Sequence, residues 1–109
     1  MQPWSRELTG GLDELEIESE ALRGNALGDP NVRPLWVYTP PGYDDEPERR
    51  YPCVYVIQGL TGQLDMWRNR EPFRPNYPEN VDSLFASSEV PPTLVAYVDA
   101  WTSLGGSQF

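Results

Sequence analysis

The sequence predicts an α/β domain containing a parallel strand pair, and three observations carry that prediction. Residues 53–57, Cys53-Val-Tyr-Val-Ile57, form a continuous apolar run bounded by Pro52 and Gly59. Residues 93–98, Thr93-Leu-Val-Ala-Tyr-Val98, form a second one. Such runs suit strands buried on both faces. Between them lies a helix signal that opens at Asn76. A strand–helix–strand order implies a parallel strand pair joined by a crossover. One helix covers one face of a sheet, so a closed α/β domain would need more helices than this sequence supplies. We therefore expect the front part of a larger α/β domain. The alternative is a small self-contained α+β protein with a one-sided sheet.

Each element has its own warrant. Residues 1–14 are polar and broken by Gly10-Gly11, and read as an N-terminal arm. The rest, 15–109, reads as one domain portion without internal repeat or linker. In 15–23, Leu15, Ile17, Ser19 and Ala21 alternate with Glu14, Glu16, Glu18 and Glu20, the period of a half-exposed strand. Leu12, Leu15, Ser19 and Leu22 also fit a helical face, and Glu and Leu are good helix formers, so pattern alone leaves both readings open. Residues 24–31 are turn chemistry, with two Gly and Pro30. Residues 35–39, Leu-Trp-Val-Tyr-Thr, are β-branched and aromatic and read as a strand ended by Pro40-Pro41-Gly42. Residues 43–50 form a charged loop and 59–76 an irregular one. Asn76 can cap a helix with Glu79 completing a capping box, and Tyr77, Val81, Leu84 and Phe85 share one face. That helix should end near Ser88, before Pro91-Pro92. Residues 99–109 form a loop containing Gly105-Gly106.

Composition removes several function classes. The chain has 109 residues, with 8 Arg and Lys against 17 Asp and Glu, and a net charge of −9. That balance opposes binding to nucleic-acid phosphates and to anionic membrane surfaces. His is absent. A Ser-His-Asp, Cys-His or His-metal site confined to these residues is therefore excluded. One Cys cannot form an internal disulfide. No apolar run approaches the roughly 20 residues of a membrane-spanning helix. The N-terminus has no apolar core of a signal peptide, so a cytoplasmic location is expected.

Two segments could carry chemistry. Gln58-Gly59-Leu60-Thr61-Gly62 follows a strand directly, and ligands of open α/β sheets bind beyond the carboxyl ends of strands. A Gly there lets backbone approach a ligand and present N–H groups. One reading is half of an oxyanion hole, and the other is a tight turn leaving a strand. Asp99-Ala100-Trp101 stands at the same end of the next strand. It reads either as a pocket wall or as turn capping with Trp101 in the core, and ordinary turn chemistry favours the second. None of the seven serines lies in Gly-x-Ser-x-Gly, and Ser107 is rejected as a nucleophile because Phe109 stands where Gly is needed. Cys53 is expected to be a buried, inert thiol. The run Asp44-Asp45-Glu46 lacks the spaced ligands of a calcium loop, and Glu14 to Glu20 reads as a solvated face, so no metal is expected. Trp67, Phe73 and Tyr77 could contact an acyl or aromatic group, or pack over the sheet edge.

The segments Gly28-Asp29-Pro30-Asn-Val-Arg33, Val37-Tyr38-Thr39-Pro40-Pro41-Gly42-Tyr43-Asp44, Arg50-Tyr51-Pro52 through Gly62, Pro91-Pro92 and Asp99 through Ser107 together resemble a family. It is the esterase family of α/β-hydrolases that contains enterochelin esterase-like proteins, S-formylglutathione hydrolases (esterase D-like) and mycolyl transferases. The resemblance covers about residues 20–109. It implies that 15–23 is a strand antiparallel to 35–39 and that the chain is the N-terminal part of an α/β-hydrolase sheet. It implies a serine carboxylic-ester hydrolase acting on a small-molecule ester, with no cofactor. It gives the backbone N–H of Leu60 an oxyanion-hole role, with Gln58, Gly59, Thr61, Gly62, Asp99 and Trp101 around the substrate pocket. Relatives often carry His where this chain has Gln58. The family's nucleophile, acid and base follow later than Phe109, so the 109 residues alone are expected to be inactive.

Two rival readings remain in play. In one, the chain is a non-catalytic binding module whose uncovered sheet face favours self-association or a partner. In the other, it is one half of a split hydrolase.

Overall fold

The computed structural model describes residues 7–106. Strand β1 (Gly11–Glu18) pairs antiparallel with β2 (Val32–Thr39), from Gly11 opposite Thr39 to Glu18 opposite Val32. Strand β4 (Leu94–Val98) pairs antiparallel with β2 and parallel with β3 (Cys53–Ile57). The sheet order is β1-β2-β4-β3. Helix α1 (Tyr77–Ala86) supplies the crossover between the parallel strands. The expected antiparallel pair, parallel pair and single helix are all present.

Strand β1 resolves the ambiguity of the Glu-rich segment, with shifted bounds. It begins at Gly11, within the stretch assigned to the N-terminal arm, and ends at Glu18. Its start is held because the N–H groups of Thr9 and Gly10 donate to the Asp82 carboxylate of α1 at 2.9 and 2.8 Å. Its end follows from Ser19, whose Oγ accepts the Leu22 N–H and turns the chain away from β2. Residues 1–6 of the arm lie outside the described residues, as does Ser107. Pro34 is tolerated in β2 because it precedes the stretch, Leu35 to Tyr38, that pairs with β4.

The capping box of α1 forms as the spacing predicts. Asn76 accepts from Glu79 N–H at 3.0 Å, and Glu79 accepts from Asn76 N–H at 2.9 Å. Arg70 also pairs with Glu79 at 3.0 Å. The helix ends at Ala86, and Ser88 takes a left-handed conformation with φ 62°. Its inward face differs from the apolar reading. Val81 and Phe85 pack on the core, while Leu84 and Tyr77 are exposed and Pro78, Glu79 and Asp82 are buried. Positions 78, 81, 82 and 85 follow helical spacing, so this face sets the hydrogen-bonded Asp82 carboxylate among Pro78, Val81 and Phe85.

The core lies between α1 and one face of the sheet. Tyr38, Leu64, Val95 and Tyr97 form its centre, with Leu12, Trp36, Val56, Val81 and Phe85 packed around them. Tyr38 stacks on Phe85 at 5.8 Å, and its hydroxyl donates to Asp82 at 2.7 Å. Strand β4 is buried at Val95, Ala96 and Tyr97, as a central strand should be. Strand β3 is not, and this corrects the expectation of burial on both faces. It is an edge strand, Val54, Tyr55 and Ile57 are exposed, and only Val56 reaches the core. Cys53, at the open start of that edge strand, is exposed rather than buried.

Candidate functional site

The two candidate segments leave the carboxyl ends of β3 and β4, which are parallel neighbours with Ile57 opposite Val98. Parallel pairing therefore places Gln58 to Gly62 beside Asp99 to Trp101 at one end of the sheet. In an open α/β sheet this end is where ligands bind.

Gln58 sits behind the turn. It is 1% exposed. Its neighbours are a carbonyl and an N–H, which fixes its amide orientation: Nε2 donates to Val98 O at 2.8 Å and Oε1 accepts from Ala100 N at 2.9 Å. The side chain thus ties the end of β3 to the end of β4. Its polar ends are both engaged by backbone, so it braces the turn from within.

Gly59 to Gly62 forms a closed turn, in which Gly62 N–H donates to Gly59 O at 3.1 Å. Gly62 is closely packed there, because a Cβ would lie 2.7 Å from Met66 Sδ and 3.0 Å from Gln58 Cβ and the Met66 side chain would have to move. Leu60 is 62% exposed, and its carbonyl accepts from Gly106 N–H at 2.5 Å. Gly106 must be glycine, since a Cβ would lie 2.7 Å from both Leu60 C and Leu60 Cα and closer still to its oxygen. Two of the turn's carbonyls are therefore held. The N–H groups of Leu60 and Thr61 have no acceptor among the described residues. Gly59 and Thr61 are exposed.

Asp99 is mostly buried and pairs with Arg33 at 3.1 Å. Its second oxygen accepts from Trp101 N–H at 3.2 Å. Trp101 is half-buried and, with Asp29, Arg33, Asp99 and Ser103, lines an open cavity of about 280 Å³. Asp29, Arg33 and Gly106 lie in segments that carry the family resemblance, but none of them takes a role from the sequence. Arg33 is the one charged residue of an otherwise apolar and aromatic strand, and that is the signal that could have found it.

The aromatic residues of the long loop separate. Trp67 packs against Tyr77 and Tyr97 at 5.2 and 6.4 Å, so it belongs to the core layer. Phe73 is fully exposed with a left-handed φ of 64°. Among the described residues no group of three His, Cys, Asp or Glu could hold a metal ion. Among them, too, no helix is long and apolar enough to cross a membrane.

No family model matches the sequence, and no curated protein matches it. Solved structures do. A ferulic acid esterase superposes over 86% of this chain and 32% of its own, with a TM-score of 0.64 and 19% identity. A mutant of the feruloyl esterase module from Clostridium thermocellum, complexed with sinapinate, superposes over 92% of this chain and 29% of its own, with a TM-score of 0.60 and 20% identity. The sheet is part of an α/β-hydrolase fold. The chain spans about a third of the length of these two structures.

Proposed function

We propose that residues 59–62 are one half of the oxyanion hole of a serine carboxylic-ester hydrolase, with the Leu60 N–H as the donor. The observation that supports this most is the turn itself. Its carbonyls at Gly59 and Leu60 are tied back to Gly62 and Gly106, while the Leu60 N–H has no acceptor among the described residues. A fixed, unpaired N–H beyond a strand's carboxyl end is what a developing oxyanion needs. In such an enzyme a serine attacks the ester carbonyl, a histidine takes the serine proton, and the Leu60 N–H donates to the tetrahedral oxygen. The chain holds no His and no serine in Gly-x-Ser-x-Gly, so on this reading the attacking and proton-transferring groups come from outside these 109 residues. Gly59, Thr61, Gly62 and Trp101 border the substrate, and Gln58 and Asp99 shape the pocket from behind. The narrower placement, among enterochelin esterase-like and esterase D-like enzymes, rests on the sequence segments alone.

The structural neighbours are named for ferulic acid and one holds sinapinate, so a small aromatic acyl ester is the first substrate to try. The test uses the protein as its gene encodes it, with ethyl ferulate and p-nitrophenyl acetate. Leu60→Pro removes the N–H. Its kcat should fall about 100- to 1,000-fold relative to wild type. An unchanged kcat in a folded Leu60→Pro protein would overturn the assignment. If the 109 residues act without a second half, no serine-dependent turnover is expected, and the non-catalytic module is the reading that survives.

A further inference from the structure

The loop that holds Leu60 is glycine-rich and has little packing of its own. Gly105 has a φ of 109°, and Ser103 and Leu104 are exposed. Something outside the loop must fix its path. Strand β2 runs antiparallel to β4, with Leu35 opposite Val98, so the start of β2 lands beside the end of β4. Arg33 stands there. Its Nε donates to Pro30 O at 2.8 Å, and its Nη1 donates to Asp99 Oδ2 at 3.1 Å and to Trp101 O at 2.5 Å. Its side chain is 11% exposed and that of Asp99 13%, so solvent screens the pair little. Farther along the loop, the Asp29 carboxylate accepts the Ser103 N–H at 3.1 and 3.2 Å. Thr102 and Gly105 then exchange backbone hydrogen bonds, and Gly106 N–H reaches Leu60 O.

We propose that Arg33 is a positioning residue for the candidate oxyanion turn: the Arg33–Asp99 pair anchors residues 99–106, and that loop orients the Leu60 peptide through the Gly106 N–H. The inference rests on the reading of Leu60 N–H as the oxyanion donor. A planar guanidinium suits the task because it reaches Pro30, Asp99 and Trp101 from one rigid fork, which an ammonium cannot do. A peptide plane whose carbonyl is pinned has its neighbouring N–H directions restricted too, because only two soft dihedrals separate them. Losing Arg33 would leave Asp99 buried without its counter-charge and would free the loop to move, while the helix-covered core on the other face keeps its contacts.

The test compares Arg33→Met, Arg33→Lys and Arg70→Met in the protein as its gene encodes it, reading both amide hydrogen exchange and ester hydrolysis. Arg70 pairs with Glu79 at the start of α1 and serves as a control for loss of a half-buried ion pair. In Arg33→Met the Gly106 amide should exchange at least about tenfold faster, with the Ala96 and Tyr97 amides of β4 as protected as in wild type. Hydrolysis should show kcat lowered about 10- to 100-fold with KM within about threefold, the signature of a group that acts on transition-state binding. Arg33→Lys should recover part of both effects, and Arg70→Met should leave Gly106 exchange unchanged. The proposal is overturned if Gly106 stays protected in Arg33→Met. It is also overturned if Arg33→Met and Arg33→Lys lose Ala96 and Tyr97 protection together with Gly106, since Arg33 would then only stabilise the whole sheet. A wild-type protein without hydrolysis would remove the oxyanion reading, and Gly106 exchange alone would then decide whether Arg33 positions the loop.

Discussion

The two faces of the sheet are built from the same strands and end differently. On one face Leu12, Trp36, Tyr38, Val95, Tyr97 and Val56 form the core together with Leu64, Trp67 and, from α1, Val81 and Phe85. On the other, the strand register aligns Leu15, Leu35, Val98 and Ile57 in one row, and Val37, Ala96 and Tyr55 in the next. That second face is largely apolar too, although Asp13 stands opposite Val37 and Arg33 opposite Ile17. Yet Leu15 and Ile57 are each 49% exposed and Tyr55 67%. Ala96 is buried there only because it is small and central. Hydrophobic residue type makes a face available for burial, and a second layer is what buries it. The covered face also carries the polar closure: Asp82 takes donors from Thr9, Gly10 and Tyr38 at once.

The largest contrast should appear on truncating one aromatic residue from each face. Tyr38→Ala removes a fully buried ring and a donor to Asp82, and should cost about 3–5 kcal/mol. Tyr55→Ser on the bare face should stay within about 0.5 kcal/mol. Urea unfolding of the two variants measures both. Equal losses would show that the bare face is covered in solution.

A second contrast is in pH. Burial, then the Asp82 contact, raises the pKa of Tyr38, and burial, then Tyr77, raises that of Tyr97, both above the ordinary value of 10.0. Above that pH the unfolded state releases protons that the folded state still holds. The stabilisation is therefore complete below pH 10 and falls as pH rises past it, by up to about 1.4 kcal/mol per unit for each tyrosine. Unfolding midpoints at pH 9 and 11 should differ accordingly, and Tyr97→Phe should reduce the difference.

The smallest effect separates two hydroxyls of the covered face. The Tyr97 hydroxyl is buried without a hydrogen-bond partner among the described residues, whereas that of Tyr38 donates to Asp82. At neutral pH, Tyr97→Phe should be neutral or stabilising by up to about 1 kcal/mol. Tyr38→Phe should destabilise by about 1–2 kcal/mol, because it takes a donor from a buried carboxylate. A loss for Tyr97→Phe as large as that for Tyr38→Phe would mean that its hydroxyl is paired in solution.

Much of this architecture was legible in the chain. The capping box at Asn76 and Glu79 is local chemistry, complete within four residues, and it formed as its spacing predicts. The parallel pairing of the two apolar runs followed from the helix between them. The bare face of β3 agrees with the single helix, but its place at the edge of the described sheet, which leaves Val54 exposed as well, was not legible, because an apolar run states only what could be covered. Asp82 was missed because a carboxylate on a helix reads as solvated until Tyr38, 44 positions away, is placed against it. In the candidate site, the Gln58–Gly62 turn was legible from its glycines and its place after a strand. The contacts of Arg33, Asp29 and Gly106 were not, although their segments carry the family resemblance, because their partners lie far off in sequence.

Local residue chemistry was enough to specify the turns, the strands at β2, β3 and β4, helix α1 with its cap, and the absence of an internal His-based site, while it left β1 open between strand and helix. It was enough because each depends on contacts within a few positions or on composition alone. Sheet order, which face is covered, and the path from Arg33 through Asp99 and Gly106 to Leu60 were decided only when β2 and β4 paired. The contacts of β4 with β2 and β3, of Arg33 with Asp99 and of Gly106 with Leu60 join residues more than 40 positions apart, and no periodicity in the chain records which distant partner a buried charge or a bare N–H will meet.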